Sequence, residues 1–128
     1  MRSRSEAPLR FLNLYQIRFP IGAIASIAHR VSGVLLLIAL PLLVDVLERS
    51  LRSETEFDAL RAAASSGWGT LLMAVAAWAA AHHVFAGIRH LLMDVGIGSG
   101  LKQARLSARV VLAAAPIIAF YVLFRGLW

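Results

Sequence analysis

The sequence predicts an all-α membrane protein of three transmembrane helices, with its N-terminus cytoplasmic and its C-terminus periplasmic. Three observations predict it. Hydrophobic residues fill 59% of the 128 positions and charged residues only 16%, against about 25% charged in an ordinary soluble domain. A soluble domain this short has too little interior to hide so much apolar surface. The charges also leave three long gaps. Arg30 alone interrupts the stretch from Arg18 to Asp45, and nothing charged lies between Arg61 and Arg89 or between Arg109 and Arg125. Finally, the basic residues are shared unevenly among the segments that flank those gaps.

The whole chain, 1–128, reads as a single transmembrane domain, beginning with an interfacial and cytoplasmic segment at 1–20. There Arg2, Arg4, Arg10 and Arg18 face only Glu6, while Phe11, Leu12, Tyr15 and Phe19 suit the membrane interface. The first span, about 21–45, opens with Pro20, tolerated where a helix has no use for its N–H. It is too long and too late for a cleaved signal peptide. The connection that follows is acidic on balance, with Asp45, Glu48, Glu54, Glu56 and Asp58 against Arg49, Arg52 and Arg61. The second span covers about 67–92, long enough for the roughly 20 apolar residues a crossing needs. Gly96, Gly98 and Gly100 mark a flexible turn, and the 89–109 connection is basic, with Arg89, Lys102, Arg105 and Arg109 against Asp94. The third span, about 106–127, reaches full length with Arg109 snorkelling to the interface. Pro41 and Pro116 lie inside spans and should kink rather than end them. Basic connections stay in the cytoplasm, so the tail and the 89–109 connection belong on that side.

Composition excludes several functions. The net charge of +6 comes from twelve Arg and one Lys, but no basic stretch stands apart from the apolar spans, so nucleic acid is not the partner; the lipid bilayer is. There is no Cys, hence no disulfide framework, thiolate metal site or Cys-ligated iron–sulfur cluster. A redox cofactor would have to be held by His, Met or Tyr.

Ionisable residues inside a span are costly and are functional candidates. Here they are His29 with Arg30 and His82 with His83. Arg30 lies about nine residues from the cytoplasmic start of its span, roughly 13 Å along the axis. His83 lies six residues before Arg89, roughly 9 Å from the same side. The two clusters therefore sit at similar depth in the cytoplasmic leaflet, as one common site requires.

Residues three, four and seven positions apart share a helix face. For His83 these are Ala76, Ala79, Ala80, Ala86, Gly87 and His90; for His82 they include Val75, Trp78, Phe85 and Arg89. His83 thus looks into a trough of small residues, which serves either close helix packing or a flat macrocycle whose iron His83 binds. His29 is flanked by Gly22, Ala25, Ser26, Ser32 and Gly33, and Ser26 stands four residues from Arg30. This basic, hydroxyl-bearing patch suits a helix-anchoring Arg, or a partner such as a haem propionate or a quinone oxygen. A b-type haem with two His ligands cannot take His83 and His90 together, since they lie about 10 Å apart along one helix. The second ligand comes from His29 or from a partner subunit.

Two motifs carry a family resemblance. Ser26-Ile27-Ala28-His29-Arg30-Val31-Ser32-Gly33 fits the pattern S-x-x-H-R-x-[ST]. His83-x-x-x-Gly87-Ile88-Arg89-His90-Leu91-Leu92-Met93-Asp94-Val95-Gly96 fits the signature H-x-x-x-G-I-R-H through to its Asp and Gly. With these, from about Asn13 onward, the chain resembles the cytochrome b membrane-anchor subunit of succinate dehydrogenase, complex II. It departs from the family's frequent Arg-Pro ahead of the first span, carrying Ala7-Pro8-Leu9-Arg10 instead. The resemblance implies that His83 is an axial ligand of a haem b shared with a second small membrane-anchor subunit, which supplies the other ligand. It implies that Ser26 and Arg30 bind ubiquinone and that His29 and Arg30 lie near the haem propionates. It implies an iron–sulfur subunit and a flavoprotein subunit as partners, a bacterial inner-membrane location, and electron transfer to ubiquinone, with no catalytic residue in this chain and no succinate oxidation by it alone. The anchor of a quinol-oxidising fumarate reductase is the nearest alternative, and a non-redox scaffold or transporter component the more distant one.

Overall fold

In a computed structural model of the chain, residues 19–127 are described. Pro20, extended at φ −64° and ψ 150°, stands at the start of the first helix, α1 (Ile21–Arg52), and its carbonyl accepts the N–H groups of Ala23 and Ile24. Phe11, Leu12, Tyr15 and the basic residues of the N-terminal tail lie outside the described residues.

The helix runs through Pro41 and continues seven residues beyond the expected end of its span at 45. At 32 residues it is about 48 Å long, well beyond a hydrocarbon core of about 30 Å, so its charged end projects into the aqueous phase. Ion pairs hold that end in helix: Arg52 Nη2 to Glu48 at 2.7 Å, one turn away, and Arg49 to Glu56 at 2.8 Å. Ser53, extended at φ −163°, stops α1 and caps the next helix, α2 (Glu54–Ala64), by accepting the Glu56 N–H at 3.2 Å. This short helix occupies what the charge pattern alone presents as a connection.

Ser66 joins α2 to α3 (Gly67–Asp94). Its hydroxyl donates to the Ala63 carbonyl at 2.7 Å and accepts the Gly69 N–H at 3.1 Å. The far end of α3 closes with Gly96 at φ +84°, a left-handed conformation that favours glycine. The Gly96 N–H donates to the Met93 carbonyl and the Ile97 N–H to the Leu92 carbonyl, the Schellman arrangement of a helix C-terminus. Gly98, at φ +74°, completes the reversal into α4 (Leu101–Leu127), which passes through Pro116 without a break.

The architecture is all-α among the described residues, and α1, α3 and α4 are each long and apolar enough to cross a membrane. The central helix is α3, packed on α4 along one side and on α1 along another. Small residues make these contacts: Ala25, Ala74, Ala79, Ala86, Ala108 and Ala115 are all buried, as expected where backbones approach closely in lipid. Large apolar side chains such as Leu37, Leu72, Ile117 and Phe120 point outward, toward what in a membrane is lipid or a partner helix.

Candidate functional site

The α1–α3 seam brings the two polar clusters together at the shared depth the sequence predicts. His83 Nδ1 lies 3.3 Å from the His29 carbonyl oxygen and 3.3 Å from Ser32 Oγ. The Ser32 hydroxyl donates to the same carbonyl at 2.8 Å, so its hydrogen is committed and its oxygen offers a lone pair. Both neighbours of Nδ1 are therefore acceptors, and Nδ1 carries the proton. Nε2 is left with a lone pair and no hydrogen-bond partner among the described residues. An imidazole oriented through one nitrogen with the other free is the usual state of a metal-ligating histidine. His83 fits an axial haem ligand on this ground.

His29 lies across Gly87, between His83 and His90. Its ring centroid is 4.3 Å from that of His83 and 5.1 Å from that of His90, with planes 29° and 23° apart. A Cβ on Gly87 would stand 3.7 Å from His29 Nε2, and one on Gly33 would stand 3.0 Å from His83 Cε1, tight against the ring. His29 Nε2 is buried with no hydrogen-bond partner. Rings stacked 4.3 Å apart leave no slot between them for a macrocycle bound by a nitrogen of each, which disfavours His29 as the second ligand. His90 Nδ1 donates to the Ala86 carbonyl at 2.7 Å. Among the described residues no three His, Asp or Glu side chains are grouped to hold a bare metal ion.

Next to His83, His82 has another role. It is 1% exposed, stacked on Trp78 with centroids 5.5 Å apart, and its Nε2 lies 3.5 Å from the Ala25 carbonyl. Its Nδ1 is sealed without a partner. The bulky face predicted for His82 is only half of its surroundings, because its neighbours at i−3 and i+4, Ala79 and Ala86, are each 1% exposed and let α1 close over the ring.

On α1, Arg30 is exposed on the bundle surface and Ser26 is half-buried one turn away. Neither hydrogen-bonds to any other described residue. The guanidinium and hydroxyl thus remain available to a ligand or a partner chain. Two contacts arise only where helices meet. Ser32, on the face of His29, also touches His83. Arg89, expected at the membrane edge, is 9% exposed and donates through Nε to Ser107 Oγ at 3.0 Å and through Nη2 to the Ala104 carbonyl at 3.1 Å. Helical periodicity within α3 could show neither contact, because both partners come from other helices.

Known proteins resemble this chain over most of its length. Residues 4–123 match the family described as succinate dehydrogenase/fumarate reductase transmembrane subunit. The chain is 36% identical over 118 residues to the succinate dehydrogenase cytochrome b556 subunit of Coxiella burnetii, covering 91% of this chain and 92% of that one. It is 30% identical over 122 residues to the subunit of the same name from Paracoccus denitrificans, covering 94% and 92%. With three apolar helices and bacterial relatives, it is a multi-pass protein of the bacterial inner membrane. The chain belongs to the succinate dehydrogenase/fumarate reductase transmembrane subunit family, as a cytochrome b membrane-anchor subunit of the succinate dehydrogenase type.

Proposed function

We propose that this chain binds one side of a haem b through His83 Nε2 and binds ubiquinone beside Ser26 and Arg30, anchoring a complex that passes electrons from an iron–sulfur subunit to ubiquinone. The reading rests above all on His83, whose Nδ1 is held by the His29 carbonyl and Ser32 Oγ at 3.3 Å each, leaving Nε2 unspent. A second small anchor subunit supplies the other axial ligand, and a flavoprotein subunit and the iron–sulfur subunit complete the assembly. When bound, the haem supplies a one-electron centre next to the quinone site.

The chain's own residues do the rest. His29 and Arg30 lie near the haem propionates, which the exposed Arg30 guanidinium answers by charge. Arg30 also donates to a quinone carbonyl, and its charge stabilises the negative charge that develops on that oxygen as electrons arrive. The Ser26 hydroxyl donates a second, neutral hydrogen bond. Reduction of the quinone to the quinol takes two electrons and two protons, and the protons enter from the cytoplasmic side, where the Val95–Gly100 turn lies.

The test compares two activities per assembled complex. Arg30→Ala should slow quinone reduction about ten- to a hundredfold, since a charged donor is worth roughly 1.5–3 kcal/mol. Succinate oxidation with a soluble dye accepting electrons upstream should stay nearly unchanged. Equal loss of both, or loss of neither, would overturn the quinone-site role. A reporter fused after Trp128 should appear in the periplasm, and one in the 94–105 connection in the cytoplasm.

A further inference from the structure

On the side of α3 turned away from His83, an apolar groove of about 550 Å³ runs between α3, the Val95–Gly100 turn and α4. Its walls include Phe85, Leu92, Ile97, Leu106, Val110 and Ala114. Phe85, Ile88 and Leu92 stand roughly 140–200° around the helix from His83, at 100° per residue. A subunit completing the haem site on the His83 side would leave this groove facing the bilayer.

The groove is apolar except where it meets an unanswered charge. Arg89 is part of its wall and is nine-tenths buried. The guanidinium has two neutral acceptors, Ser107 Oγ and the Ala104 carbonyl, and its Nη1 bonds to no described residue. No carboxylate pairs with it: the ion pairs among the described residues, Arg49–Glu56 and Arg52–Glu48, lie at the opposite end of the bundle. Burying a cation without a counter-charge is costly. On α4, Lys102 lies one turn before Leu106 and Arg109 one turn after it, so both flank this wall residue on its outer side, next to the groove and outside its lining. Both are exposed, and neither pairs with an acid among the described residues.

We propose that this groove holds an anionic phospholipid, one acyl chain lying along Leu92, Leu106 and Val110 and the headgroup phosphate drawn to Lys102 and Arg109, with Arg89 supplying a third positive charge beneath. A chain-shaped apolar trough opening among cations is complementary to that class of molecule, and basic pockets between membrane helices on the cytoplasmic side are known to take such headgroups. The surrounding bilayer supplies the ligand directly.

The complex, purified in detergent and stripped of lipid, should be titrated with dioleoylphosphatidylglycerol and separately with dioleoylphosphatidylcholine. Bound lipid is counted by native mass spectrometry. The wild type should retain one phosphatidylglycerol at this site and hold phosphatidylcholine more weakly. The double variant K102Q/R109Q should lose about twenty-fivefold in phosphatidylglycerol affinity, taking roughly fivefold per basic residue, with phosphatidylcholine unaffected. Ala114→Phe, which fills the groove, should displace the lipid; if that variant does not assemble, the exposed double variant still decides. Equal retention of the two lipids by the wild type, unchanged phosphatidylglycerol binding in K102Q/R109Q, or retention of ubiquinone in place of phospholipid would overturn the assignment.

Discussion

His82 and His83 are consecutive on α3 and share two neighbours, Ala79 and Ala86, yet the structure uses them differently. His82 is enclosed, with one nitrogen turned to the Ala25 carbonyl and the other sealed. His83 is half-buried, with Nδ1 fixed against α1 and Nε2 free. The more buried histidine is the one that packs helices, and the less buried one is equipped to bind. Burial alone therefore does not mark a ligand residue. What marks it is which nitrogen the surrounding acceptors leave unspent, and whether anything can reach it.

Substitutions on each side of this contrast should fail in different ways. The largest effect is expected where the two sides meet. Ala86→Leu inserts three carbons at a position 1% exposed and should cost about 1–3 kcal/mol by overpacking. The check is the amount of assembled complex and its thermal stability, with turnover per surviving complex little changed. A smaller effect is expected from Ser32→Ala, which removes one of the two acceptors of His83 Nδ1 and leaves the His29 carbonyl. Haem should still bind, about three- to tenfold more weakly, in line with one hydrogen bond of about 1 kcal/mol. A haem titration of the stripped complex measures this. The smallest is Gly33→Ala, whose Cβ would meet His83 Cε1 at 3.0 Å. The ring should tilt by a few tenths of an ångström, changing the haem's spectrum or potential without loss of haem. If Ser32→Ala and Gly33→Ala left haem affinity, spectrum and potential all unchanged, His83 would not be the presented histidine.

Much of this was readable from residues in order. The crossing helices follow from the long charge gaps, the third completed by a snorkelling Arg109, and the meeting of His29 with His83 agrees with the similar depth of their clusters. The end of α1 was not readable from charge alone, because Asp45–Arg52 looks like a connection until Glu48–Arg52 and Arg49–Glu56 are seen to hold it in helix. The α2 start did carry a signal, Ser53 with Glu56 three residues on, a capping box. The bulky face of His82 accounts for its stacking on Trp78 but not for its full burial, because in lipid it is small residues such as Ala79 and Ala86 that bring helices together. The burial of Arg89 depends on Ser107, 18 residues away on another helix, and no local pattern encodes it.

The central claim is that His83, and not His82, carries the haem. The most direct measurement is the visible absorption spectrum of the reduced complex for His83→Ala and His82→Ala, normalised to assembled complex. The account predicts a low-spin b-type haem spectrum that is abolished or severely altered in His83→Ala and largely retained in His82→Ala. Loss of the haem in His82→Ala with its retention in His83→Ala would contradict it.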